Sequence, residues 1–507
     1  MNHFSFFAVA AALLALHPSM PTATAQQQQP GQDRPNVLFI ISDDLTTTAV
    51  SSYGNKLGTT PHIDRLASEG TRFTRAYSQY PVCGPSRASL MFGYYPSATT
   101  TYGYVSGRRN VGPDRNSWAQ LFRENGYRTA RVSKIFHMGS VDIMEGRHGA
   151  DDPASWDERY NSPAPEVHAE GDSELVQNNP YGRRPVLREE GVNGGNLMNI
   201  VKAEEGQPHT DGRTAEQASE LIRAYAETEQ PFFLSVGFFR PHVPFVAPKE
   251  YFEPYPYREM VLPPRVQGDW DDIPERGINY VTSVNGQMSP EQEKKAIAAY
   301  YAAVSYMDAQ LGKVLQALRE EGLEENTIVI FTSDHGFHLG EHRFWMKVGL
   351  HEESVRVPLI IKAPGKEPAV SHSLVELLDL YPTVAEMAGL EYSEHLQGKS
   401  LVQTLEDPDH EVREAAFSMH RWGGGFAYLL RSEKWAYIQY DEDAGSGMEL
   451  YDMERDPQQY NNLAGNPQYE DIVAAFRERL QQKLKEVRDN DLVRDESLDV
   501  TYDTTGE

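Results

Sequence analysis

The chain holds one cysteine, Cys83, within the run Cys83-Gly-Pro-Ser-Arg87. Pro85 suits an early helical position, and Ala88 to Met91 can carry the helix on. That places the thiol at or just before a helix N-terminus, where backbone N–H groups favour anions and activate a thiol. Arg87, one turn on, can reach back to the same anion. A lone cysteine is most often a small buried hydrophobe, so its surroundings must decide. Asp43-Asp44 follows one wholly apolar run and Asp334-His335 follows another. Adjacent carboxylates repel, and burying them together is unfavourable unless a cation compensates. Three carboxylates with an imidazole make a hard, oxygen-rich donor set that suits Ca²⁺, or Mg²⁺, better than zinc.

Four short apolar runs, at 36–41, 127–132, 232–238 and 327–332, lead in turn into Asp43-Asp44, Lys134 with His137, Arg240 with His242, and Asp334-His335. Apolar runs alternating with helical patterns imply an α/β fold around a large, mainly parallel sheet. In such sheets ligands bind beyond the carboxyl ends of the strands. Four exits carrying Asp, His, Lys and Arg therefore predict one composite site. Thr60-Pro61 reads as a helix start, and Ser289-Pro-Glu-Gln292 as a capping box. The latter opens a long helix whose stripe from Ile297 to Leu318 is read as core. Residues 34–406 are expected to form the catalytic domain, with 138–213 an irregular insertion bordering the cleft. Short strands near 426–430, 435–440 and 449–451 and a helix over 471–487 predict a smaller α+β domain with an antiparallel sheet at 407–490. An acidic tail fills 491–507.

The formal charge of −27 argues against nucleic acid as a partner. Any anionic substrate must then meet cations gathered locally. Residues 4–16 are apolar but too short for a bilayer span, and Ala23-Thr-Ala25 supplies a small-x-small cleavage pattern. A signal peptide over 1–25 and a periplasmic or secreted protein without stable membrane insertion are expected. One cysteine permits no intrachain disulfide.

The segment from Cys83 to Arg87, with Leu90 and Gly93, resembles the signature of the sulfatases that depend on formylglycine, of the alkaline phosphatase-like superfamily. Asp43-Asp44, Lys134, His137, His242, Asp334-His335 and Lys347 fall in that family's order. Ser133-Lys-Ile-Phe-His137, Thr214-Ala-Glu-Gln-Ala218 and Arg240-Pro-His-Val-Pro-Phe245 resemble the iduronate-2-sulfatase branch most. The chain departs from that branch in lacking disulfide cysteines, which implies a bacterial-type relative.

The resemblance implies an exported sulfuric ester hydrolase acting on sulfated oligo- or polysaccharide. It implies 2-O-sulfated uronic acid, in a glycosaminoglycan or an algal polymer such as ulvan. It implies that a maturation enzyme oxidises Cys83 to formylglycine (3-oxoalanine), whose hydrate attacks sulfur and later expels sulfate through its second hydroxyl. One Ca²⁺ or Mg²⁺ would be held by Asp43, Asp44, Asp334, His335 and the modified Cys83. Arg87 would hold the nucleophile, Lys134 and Lys347 would clamp sulfate, and His137 would be the base that triggers expulsion. His242, with Lys347, would protonate the leaving oxygen, and Arg240 would help bind the sugar. The rival expectations are a phosphodiester or phosphonate monoester hydrolase on the same fold and an inactive glycan-binding homologue.

Overall fold

The computed structural model describes Met1 and residues 34–177, 187–188, 191–192, 198–422, 424–495 and 497. The expected signal peptide (apart from Met1), part of the 138–213 insertion and nearly all of the tail past 495 lie outside these residues. Among the described residues no helix is long and apolar enough to cross a membrane.

The strand Asn36–Asp43 is buried along its whole length. Side chains alternate across a strand, and here both faces are apolar. Leu38 and Ile40 join one core cluster, with Tyr300, Val304, Met307 and Leu311 of the helix Pro290–Glu320. Val37, Phe39 and Ile41 join a second, with Trp118, Phe122 and Leu90. Burial on both faces is what a near-continuous hydrophobic strand requires. The result is an eight-stranded sheet between two helical layers.

Asn36–Asp43 is hydrogen-bonded in parallel to Thr327–Ser333 on one side and to Phe232–Pro241 on the other, and Arg128–Ser133 pairs in parallel with the latter. The four expected exits are thus neighbours at one sheet edge. Arg356–Lys362 runs antiparallel to both of its neighbours, which makes the sheet mixed but mainly parallel. Ser289 caps the long helix through the expected reciprocal box with Gln292.

The insertion has more order than its composition suggests. Glu158–Tyr160 adds a strand to the rim of the main sheet, parallel to Arg128–Ser133. Gly171–Leu175, Asn199–Ala203 and Phe245–Pro248 form a separate three-stranded sheet. These strands are short, and Gly171–Leu175 is largely exposed, so no apolar period marks it.

Ala415–Trp422, Gly425–Ser432, Trp435–Tyr440 and Met448–Asp452 form an antiparallel sheet in sequence order. The first of these strands escaped the sequence reading. The helix Glu470–Arg488 covers one face with Val473, Phe476 and Leu480 against Phe417, Tyr428 and Tyr437. The other face packs Ala427, Leu429 and Ile438 on Tyr77, Leu350 and Val355. The described residues from Pro35 onward fall within one compact unit.

Candidate active site

The helix Cys83–Phe92 is buried throughout and begins at the cysteine itself. Its start is pinned closely: a Cβ on Gly84 would lie 2.5 Å from the Gly103 carbonyl oxygen. Only glycine admits that approach. Ser86 Oγ donates to the Asp334 carbonyl at 2.5 Å. Arg87 Nε donates to Asp334 Oδ2 at 2.8 Å, and its other nitrogens reach the Lys134 and Ile135 carbonyls and Asp43 Oδ1. The guanidinium therefore ties three strand exits to the helix carrying Cys83.

Cys83 Sγ lies 3.0 Å from Lys347 Nζ, 3.3 Å from His335 Nε2 and 3.7 Å from Asp44 Oδ1. Lys347 Nζ also donates to Asp44 Oδ1 at 2.9 Å, and Lys134 Nζ to Asp43 Oδ2 at 2.5 Å. His242 Nε2 stands 3.9 Å from Asp44 Oδ2. A carbonyl can only accept, so His335 Nδ1 donates to Gly336 O and His242 Nδ1 donates to Val243 O. Each Nε2 is thus turned to the cluster, where it carries the lone pair whenever the ring is neutral.

Backbone strain accompanies the placement. Asp44 and Ser133, at the strand exits, have φ of 65° and 61°, and Met346 and Val348, flanking Lys347, have 67° and 83°. Such values are rare for residues with a Cβ and persist only where the surroundings impose them. For Asp44 one restraint is visible: Tyr300 donates its hydroxyl to the Asp44 carbonyl at 2.6 Å and accepts from Thr46 N at 2.9 Å.

The electrostatics follow from crowding without water. Burial alone would raise Asp43, but Lys134, His242 and Arg87 hold it well below the usual carboxylate range. Burial raises Asp44, with Asp43 and Asp334 adding to it against Lys347 and His335. Burial, then the Asp43 charge, pushes the Cys83 thiol up. Burial and Lys347 push His242 well down.

Donor atoms of Asp43, Asp44 and Asp334 lie within 4.8 Å of one another, as do those of Asp44, Cys83 and His335. Carboxylate oxygens this close, supplemented by an imidazole lone pair, fit a hard divalent cation. The three carboxylates are matched by Arg87, Lys134 and Lys347, so a divalent ion leaves the pocket with two net positive charges. That is the local field an anionic ester needs within an acidic chain.

Two further expected residues are held from outside the carboxylate cluster. His137 is buried, and its ring lies tilted against the Tyr104 ring with centroids 4.4 Å apart. Arg240 is as buried as the residues around Cys83, and its guanidinium is held by Glu166 and by the His242 and Pro244 carbonyls, so it shapes the loop that carries His242. Tyr104 and Tyr300 were missed from sequence, because nothing local marks a tyrosine that acts across the fold; Ser86 lies inside the Cys83–Arg87 signature, but its bond to Asp334 is a tertiary contact.

A family model described as Sulfatase matches residues 35–390, and one for the C-terminal part of N-sulphoglucosamine sulphohydrolase matches 340–486. A protein of Formosa agariphila named Sulfatase is 30% identical over 484 residues, covering 90% of this chain and 89% of its own. Iduronate 2-sulfatase of Mus musculus is 34% identical over 408 residues, covering 72% of this chain and 71% of its own. Among solved structures, phosphonate monoester hydrolase of Agrobacterium radiobacter superposes with a TM-score of 0.71 at 24% identity, over 90% of this chain and 96% of that one; this likeness speaks for the fold alone. With its signature cysteine seated among those carboxylates, the chain belongs to the sulfatase family and is a sulfuric ester hydrolase.

Proposed function

We propose that this enzyme is exported and removes sulfate esters from a sulfated carbohydrate bearing 2-O-sulfated uronic acid, in a glycosaminoglycan or an algal polymer such as ulvan. The observation that carries the chemistry is the position of Cys83 Sγ, within 3.7 Å of Lys347, His335 and Asp44 at the meeting of the strand exits. The substrate reading rests on the 34% identity to iduronate 2-sulfatase. The apolar 4–16 run with its cleavage pattern supports export to the periplasm or beyond.

Position 83 acts as formylglycine, installed by a maturation enzyme; its hydrate provides one hydroxyl to attack sulfur and a second whose deprotonation releases sulfate. Asp43, Asp44, Asp334 and His335 would hold Ca²⁺ in preference to Mg²⁺, since side chains supply most of the ligands. When bound, such a cation would supply polarisation of a sulfate oxygen and favour the ionised nucleophile. Arg87, fixed from Asp43 to Asp334, holds the attacking group in line and offsets developing charge. Lys347 and Lys134 bind sulfate oxygens in exchange for their carboxylate contacts. His242 presents Nε2 and gives a proton to the leaving sugar oxygen once an anionic substrate favours its protonated form. His137, oriented by Tyr104, takes the proton that lets sulfate go.

The test is a desulfation screen over defined sulfated oligosaccharides, paired with mass spectrometry of the peptide containing Cys83. Sulfate release from 2-O-sulfated uronic acid and an aldehyde at position 83 are expected. Turnover confined to small aryl sulfates overturns the sugar reading, and phosphodiester cleavage without desulfation overturns the bond assignment.

A further inference from the structure

A cavity of about 400 Å³ opens beside the small three-stranded sheet, outside the catalytic cluster. Phe252 and Tyr257 line it, both half-buried, together with Lys202, Lys295, Asp172 and Glu174. Its two lysines, and Arg258 just outside its lining, are held on aromatic faces. Lys202 Nζ stands 5.3 Å from the Phe252 centroid, Lys295 Nζ 5.4 Å from that of Tyr257, and the Arg258 guanidinium 5.2 Å from the same ring. Lys295 is neutralised by Glu174 at 2.8 Å and Glu291 at 3.3 Å. Lys202 and Arg258 are exposed and form no ion pair with a described residue. A cation resting on an aromatic face is placed in advance of any anion, so less side-chain freedom is lost when one binds.

The sheet beside the cavity is joined along the chain to the loop that carries His242. Lys202 is in register with Ala247 of the strand Phe245–Pro248, five residues past His242. Five residues span at most about 17 Å. A chain of −27 repels a polyanion except where cations are exposed.

We propose that this cavity is a second saccharide-binding site, which takes an acidic sugar unit of the polymer whose sulfate is removed at Cys83. Lys202 meets its carboxylate or sulfate, Arg258 on the Tyr257 ring adds positive charge at the rim, and Asp172 and Glu174 accept its hydroxyls. The inference rests on the sulfated-carbohydrate reading above and adds a subsite to it.

The test compares kcat/KM for a hexasaccharide and a disaccharide of the same sulfated polymer, at low and at moderate salt. Wild type favours the hexasaccharide, and salt erodes that preference because the contacts are exposed and ionic. Lys202→Glu and Arg258→Glu, changes of exposed side chains, each lower the hexasaccharide-to-disaccharide ratio roughly tenfold. A ratio equal to wild type in both variants overturns the site, as does a wild-type ratio of one. Wild type that desulfates neither saccharide sinks the functional reading instead, so the two failures are distinct.

Discussion

Two groups of buried charges in this molecule are built on opposite principles. Where the C-terminal sheet meets the main sheet, four buried carboxylates are answered. Arg413 makes two 2.6 Å bonds to Asp379. Glu376 accepts from Tyr95 Oη at 2.5 Å and from Phe417 N at 2.6 Å. Glu352 accepts from Arg431 at 2.8 Å and Tyr77 at 3.1 Å, and Glu449 from His351, Tyr440 and Tyr451. In the active site, by contrast, carboxylates face each other within 4.8 Å and share their cations with a thiol. A satisfied network holds two parts of the fold together. A crowded one persists where a further ligand completes it, and so marks the place where chemistry happens.

Substitutions can break this contrast. Cys83→Ala removes the nucleophile and lowers sulfate release by roughly 10⁴-fold or more, with the melting temperature near wild type. Retained turnover, read by ion chromatography of sulfate, would place the reaction elsewhere. Asp44→Asn removes one oxygen ligand and lowers activity at least about 100-fold, with an altered cation dependence. In chelator the same variant melts at or above the wild-type temperature, because a crowded carboxylate held above its normal pKa has been removed. A fall of several degrees would show that the site is as satisfied as the interface.

The interface responds the other way. Arg413→Met leaves Asp379 and Glu376 buried without their counter-charge and destabilises by about 3–5 kcal/mol, seen as a lowered melting temperature. A melting temperature unchanged by Arg413→Met would end the contrast.

The smallest effect sharpens it with pH. Burial opposes a charge on His351, yet Glu449 outweighs burial and raises its pKa above 6.5, while Glu449 itself is lowered below 4.5. A raised histidine contributes stability that is complete below its unfolded pKa and fades as pH climbs through the native value. A lowered carboxylate contributes above its unfolded pKa and fades as pH falls. The pair is therefore strongest between 4.5 and 6.5. His351→Gln should lower stability by about 2 kcal/mol within that window, with the gap to wild type closing at higher pH. Calorimetry across pH checks it; a gap that widens with pH has the wrong sign.

Much of the site was legible because its residues are local to strong signals. Asp43, Asp44, Lys134, His242, Asp334 and His335 each follow an apolar run by a few residues, and one exit rule predicts where they gather. Arg240 obeys the same rule, yet its partner was not legible. It belongs to the same exit as His242, but its counter-charge Glu166 is 74 residues away, and no local pattern announces that pairing. Tyr300 reads as one more core aromatic on a long helix, although its hydroxyl holds the Asp44 carbonyl. The strand Ala415–Trp422 was invisible for a different reason: its own composition is mixed, although its partner is the next strand.

By itself the sequence determined the sheet, the helices that cover it, the family, and the roster of groups at the strand ends. Apolar periodicity and short motifs are local properties, and local properties can be read along a chain. Tertiary structure alone decided which way each polar side chain turned. Lys347 meets Cys83 from 264 residues away, and Arg240 pairs with Glu166 from 74 residues away. Those choices depend on where a counter-charge stands after the backbone has closed, because a buried ion takes the nearest partner in space, whatever its distance along the chain.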